Sequence, residues 1–98
     1  MGEIKKFLVK KRRQCQDNWK VLGKVDVPKT RTVGALRFYE KKVPTIFKKL
    51  TSMKAERVRA FGDDYYPKYH IHSGGKIYVL LIDGDVNKSP WAELSVRE

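Results

Sequence analysis

The stretch "PKYHIHSGGKIYVLLIDGD", residues 67–85, constrains this chain more than any other. Two runs rich in β-branched and aromatic residues flank Gly74-Gly75, and tight two-residue hairpin turns need the positive φ that glycine supplies. Taking that pair as the turn sets a register in which Ser73 faces Lys76, His72 faces Ile77 and His70 faces Val79. Directly opposed residues share a face of the sheet. One face then displays Tyr69, Ile71, Tyr78, Leu80 and Ile82, and the other His70, His72, Ile77, Val79 and Leu81. The first is the expected core face. Because "KIYVLLI" is apolar on both alternating sides, it predicts a central strand covered on two sides. "DGD" turns the chain again.

The layer that covers this hairpin is expected from the middle of the chain. "KTRTVGALRFYEKKVPTIFKKLTSMKAERV" places Val33, Leu36, Tyr39/Glu40 and Val43 at helical spacing, and Ile46, Phe47, Leu50 and Met53 continue the stripe. Pro44 interrupts it, since proline removes a backbone donor and clashes with the preceding turn; it kinks the helix or begins a new one. The helix is expected to end before "FGDD", at Gly62, although "AERVRAF" reads equally as a strand. Near the C-terminus "KSPWAEL" resembles a helix start, with Ser89 as N-cap and Pro90 in the first turn, while "SVRE" could finish an edge strand. At the other end, residues 4–13 read two ways, with Ile4, Phe7 and Leu8 at helical spacing and Phe7 and Val9 fitting a strand; "QDNW" reads as a turn, and Val25 and Val27 alternate with polar residues until Pro28. On the strand reading these two β-segments around a polar turn make a basic N-terminal hairpin. The expectation is one small α+β domain over residues 1–98: a mostly antiparallel sheet of about four to five strands, with a Pro44-interrupted amphipathic helix packed on one face.

Charge narrows the class of partner. The chain of 98 residues holds 22 Lys and Arg against 11 Asp and Glu, a net charge of +11. Residues 1–54 carry 16 basic and 4 acidic side chains, whereas residues 55–98 are close to neutral. Such asymmetry points to a polyanionic partner, against the plainer reading of a solvated lysine-rich surface. The candidate phosphate-contacting residues are Lys5, Lys6, Lys10, Lys11, Arg12 and Arg13, then Lys20, Lys24, Lys29 and Arg31, and in the helical region Lys41, Lys42, Lys48 and Lys49. Trp19 and Tyr65, in turn-rich sequence, are the candidates for stacking on unpaired bases, with Tyr66 and Tyr69 nearby. Phe7, Phe38, Phe47 and Tyr78 read as packing residues. The preponderance of lysine favours phosphate contact over bidentate base reading, hence little sequence preference.

The histidine pair is the remaining source of chemistry. His70 and His72, at i and i+2, share a face and could ligate one metal if a third ligand came near. Asp83 lies four residues from the level of His70, roughly 13 Å at ~3.3 Å per residue, so it cannot complete a site. Glu56, Asp63, Asp64 and Glu93 would have to approach from elsewhere. The pair could alternatively give and take a proton, as in a nuclease, or simply pack half-buried on the sheet. No cofactor is expected. Cys15 stands alone, so neither an intramolecular disulfide nor a cysteine-based zinc cluster forms. The N-terminus lacks the apolar core of a secretory signal, Lys6 breaks the myristoylation pattern, and no apolar run nears the ~18 residues of a membrane span. A cytoplasmic protein is expected. Three functions stay open: a nucleic-acid-binding protein of low specificity, a regulator or inhibitor, of viral kind for instance, that docks on an acidic protein surface, and a compact nuclease using His70 and His72.

Overall fold

The computed structural model describes residues 19–97. Five antiparallel strands form one open sheet: β1 (Trp19–Asp26), β2 (Arg57–Ala60), β3 (Lys68–Ser73), β4 (Lys76–Asp83) and β5 (Trp91–Arg97). Their spatial order is β1-β5-β4-β3-β2. Two short helices, α1 (Ala35–Glu40) and α2 (Val43–Thr51), lie in the link between β1 and β2. The fold is α+β.

The β3–β4 hairpin has the register that the glycine pair dictates. Ser73 opposes Lys76, His72 opposes Ile77 and His70 opposes Val79, with φ of 56° at Gly74 and 77° at Gly75. Tyr69, Ile71, Tyr78, Leu80 and Ile82 are buried, as are Ala92, Leu94 and Val96 on β5. Tyr39, Val43, Ile46 and Phe47 from the helices complete the core. The Phe47 ring meets Tyr78 edge-on, with centroids 4.9 Å apart. Burying a side chain such as Phe47 contributes roughly 1.5–3 kcal/mol relative to leaving it exposed.

The helices settle on one face only. Among the described residues the second face of the sheet has no cover, so Ile77, Val79 and Leu81 are half-exposed rather than enclosed on both sides as their apolar character suggested. Pro44 begins a new helix instead of kinking an old one, because it sits in the first turn of α2, where its missing donor costs nothing. The helical region is also shorter than expected. Val33 precedes α1 and is 87% exposed. At the other end the Thr51 hydroxyl donates to the Phe47 carbonyl at 2.8 Å, and Ser52 turns left-handed with φ 64°. The chain leaves the helix there, well before Gly62; Met53 falls outside the stripe, and the ambiguous "AERVRAF" supplies β2.

The expected helix at "KSPWAEL" is strand β5. Ala92, Leu94 and Val96 alternate with Trp91, Glu93 and Ser95, and that period of two outweighs the Ser-Pro capping signal once β1 and β4 flank it. On β1, the strand around Val25 is present and ends before Pro28, but it reaches back to Trp19, where a turn was expected. Its described partner is β5, with a bulge at Leu22. The other half of the anticipated N-terminal hairpin, residues 4–13, lies outside the described residues. No helix among those described is long and apolar enough to cross a membrane.

Candidate nucleic-acid interface

The link that carries the helices concentrates positive charge. Residues 27–54 hold eight Lys and Arg and a single acid, Glu40. The physical reason is the amphipathic pattern itself. Ala35, Tyr39, Val43, Ile46 and Phe47 take the core side, which leaves Arg37, Lys41, Lys48 and Lys49 facing water. Arg37 and Lys41 are four residues apart and so neighbours on one helical face. A groove lined by Gly34, Arg37, Phe38, Lys41 and Lys42 adjoins a second one between α2 and the end of β1. The second is lined by Val25, Asp26, Pro28, Lys41, Lys42, Thr45, Ile46 and Lys49, so Lys41 and Lys42 border both. Lys42 holds its ammonium 4.9 Å from the Phe38 ring centre. Among the described residues only Lys24 and Glu93 approach as an ion pair, at 3.8 Å. The ridge Arg37–Lys41–Lys42–Lys49 therefore has no described carboxylate within salt-bridge reach.

A loop bearing exposed aromatic side chains is tied to the start of α1. The β2–β3 loop is pinned to the start of α1 because Asp64 accepts the Gly34 and Leu36 backbone N–H groups, at 3.1 and 3.0 Å. These hydrogen bonds, Leu36 first and Gly34 second, outweigh a small opposing effect of burial and hold the Asp64 carboxyl below its ordinary pKa. Asp63 accepts the N–H groups of Tyr65 and Tyr66 at 3.0 and 2.8 Å, an Asx turn that fixes the loop tip. Tyr65 and Tyr66 are 71% and 65% exposed. The loop that carries Tyr65 is thus anchored, through Asp64, to the start of α1.

Other sequence candidates lie elsewhere. Tyr69 is buried, its hydroxyl donating to the Leu36 carbonyl. Trp19 is the first residue of β1, half-buried opposite Arg97. Lys24 pairs with Glu93 on the sheet face away from the helices. Lys20 shares a separate groove with Lys76 and Arg97. Lys29 and Arg31 are exposed in the segment after β1, which Thr30 ties to Val86 by a 2.7 Å hydrogen bond. Lys48 is exposed on α2. Lys5, Lys6, Lys10, Lys11, Arg12, Arg13 and Cys15 lie outside the described residues.

His70 and His72 do share the open face, opposite Arg59 and Arg57 respectively. Two imidazoles beside two guanidiniums are parts that acid–base phosphodiester chemistry can use. Phe61, however, lies flat on His70, with centroids 4.0 Å apart and planes 13° from parallel. That stack makes His70 a packing group. Burial chiefly, then the neighbouring His72 and Arg59, lower its pKa. Among the described residues no three His, Cys, Asp or Glu side chains cluster as metal ligands would.

Arg37 and Phe38 join the candidate site only in the folded chain. Arg37 was discoverable from its i,i+4 spacing to Lys41; Phe38 read as core, yet it is half-buried and forms the apolar floor beneath Lys42. Comparison of the chain with protein-family models, curated proteins and solved structures finds no match.

Proposed function

We propose that this protein binds nucleic acid through the phosphate backbone, with little sequence preference, along the ridge formed by Arg37, Lys41, Lys42 and Lys49. The observation that supports the reading is the charge of the link between β1 and β2, eight cations to one acid over residues 27–54, of which Arg37, Lys41, Lys48 and Lys49 stand exposed on or beside the two helices. Lysines on such a surface release counterions from phosphates without reading bases. Exposed Tyr65, in the loop that Asp63 shapes and Asp64 ties to the start of α1, offers a ring to an unpaired base. A single strand suits this combination, because only unstacked bases are accessible to such a ring.

The test is fluorescence anisotropy with single- and double-stranded DNA and RNA oligonucleotides at several salt concentrations. The expected result is tighter binding to single strands and a log–log salt slope that falls by about 0.7 for each phosphate contact removed. The triple variant Arg37→Gln/Lys41→Gln/Lys49→Gln should flatten that slope, and Tyr65→Ala should weaken single-strand binding at constant slope. Absence of binding at low salt, or an unchanged slope in the triple variant, would remove the proposal.

A further inference from the structure

The face of the sheet turned away from the helices, which no described element covers, is organised in strips. Cross-strand partners align Arg57 with His72 and Ile77, and Arg59 with His70 and Val79. Lys68 aligns with Leu81, and Leu81 in turn with Glu93. Reading across the strands, β2 and β3 present cations and imidazoles, β4 presents a rail of three aliphatic side chains, and β5 presents a mixed row. Of the acids near the rail, Glu93 is occupied by Lys24 and Asp83 stands at its far end, opposite Trp91.

We propose that this face docks an acidic amphipathic helix of a partner protein. Neighbouring strands are about 4.8 Å apart, so the cationic rows and the aliphatic rail together fit beneath one helix, whose diameter is about 10–12 Å. Its apolar stripe covers Ile77, Val79 and Leu81, and its acidic edge meets Arg57, Arg59 and Lys68. Charge complementarity selects this occupant over the alternatives. Residues 1–18 of this chain carry six Lys and Arg against two acids, so they bring the wrong sign to Arg57 and Arg59. A second copy has a net charge of +11 and is repelled as a whole. Nucleic acid meets aliphatic side chains along the rail, where stacking calls for rings, and Phe61 already spends one ring face on His70. The surface is distinct from the helical ridge, so the two readings fail separately.

The experiment uses the full chain, labelled with ¹⁵N, and two synthetic helical peptides. Both carry a leucine stripe; one is edged with glutamate and the other with lysine. The glutamate peptide is expected to bind at least tenfold more tightly and to shift amides of β2, β3 and β4. In Arg57→Gln/Arg59→Gln, two exposed positions whose substitution leaves the core intact, its affinity falls at least tenfold while oligonucleotide binding persists. Equal affinity for both peptides, or shifts confined to Lys41 and Lys49, would overturn the proposal. So would cross-links from residues 1–18 to this face in the free chain, a dimer that buries it, or oligonucleotide shifts that map to it while the glutamate peptide has no effect.

Discussion

The carboxylate of Asp64 caps a helix that it does not belong to: its Oδ1 accepts the Leu36 N–H at 3.0 Å, from 28 residues away. Gly34 precedes α1 and has no side chain to do this itself, and Oδ2 of the same carboxylate takes the Gly34 N–H. One side chain thereby joins the β2–β3 loop to the helical layer.

Asp64→Ala should lower the melting temperature and loosen both α1 and the loop tip in hydrogen exchange. The linkage also has a sign in pH. Leu36 and Gly34 hold the Asp64 carboxyl below its ordinary 3.8, so the folded state keeps this group ionised while the unfolded chain takes up a proton. Its contribution is complete above about pH 5 and is lost as pH falls through 3.8 towards the lower folded value. Acid unfolding followed by circular dichroism should therefore show a shallower pH dependence between 5 and 3 in Asp64→Ala than in the parent. Identical profiles would show that the cap contributes nothing.

Gly62 lies at the base of the same loop, just after β2. A Cβ built there would strike the Tyr66 carbonyl and come within 2.7 Å of the Lys68 nitrogen, both backbone atoms that cannot rotate aside. Gly62→Ala should destabilise the fold by about 1–3 kcal/mol, measured by urea denaturation. It should also displace Tyr65 and weaken single-strand binding. A variant of parental stability would mean that the loop adapts more freely than its hydrogen bonds to Lys68 imply.

Tyr69 spans the two layers, buried in the sheet with its hydroxyl donating to the Leu36 carbonyl. Tyr69→Phe should cost about 1 kcal/mol, or about 4–8 °C in a domain of this size. Burial above all, then the charges of Glu40, Tyr39 and Asp64, raise the phenol well beyond its ordinary 10.0. The folded state thus retains a proton that the unfolded chain releases near pH 10, and stability declines as pH rises past that value. Tyr69→Phe should be less sensitive to alkali than the parent; equal sensitivity would argue against a buried phenol.

For His70, an NMR titration should give a midpoint below 6.5, because burial, His72 and Arg59 all disfavour the imidazolium. The unfolded chain protonates first as pH falls through 6.5, so this residue subtracts stability on acidification. Phe61→Ala exposes the ring and should raise the midpoint, and Arg59→Gln should raise it by a smaller amount. A parental midpoint at or above 6.5 contradicts the stacked arrangement.

The hairpin was readable because glycine pairs and period-two alternation are local signals. Gly74-Gly75 fixed which side chains oppose one another, and with that the core face followed. The ends of the helical region were not readable from spacing, since Val33 and Met53 fit the stripe as well as Leu36 and Leu50 do. What excludes them is tertiary: Asp64 starts α1 from a distant loop, and the Thr51 hydroxyl turns back onto Phe47. The strand at Trp91–Arg97 is masked by Ser89-Pro90, a capping signal overridden by the flanking strands, β4 just before it in sequence and β1 from the far end of the described chain. For the site, charge in the helical link was evident as composition. Its confinement to one side of the sheet depends on how the helices settle, and Lys24, close by in sequence, ends on the opposite side.

The strand order also sets a sequence of events during synthesis. β3 and β4 can close as soon as Asp83 has left the ribosome, but β1, made earliest of the five, finds its seat only on β5, made last. For the whole interval in which some seventy residues are added, Val21, Leu22 and Val25 travel without the neighbour that pairs with them. Until β5 appears the nascent chain carries β1 without its described partner, and the charges of Lys20 and Lys24 along that partly apolar ribbon oppose its joining another edge.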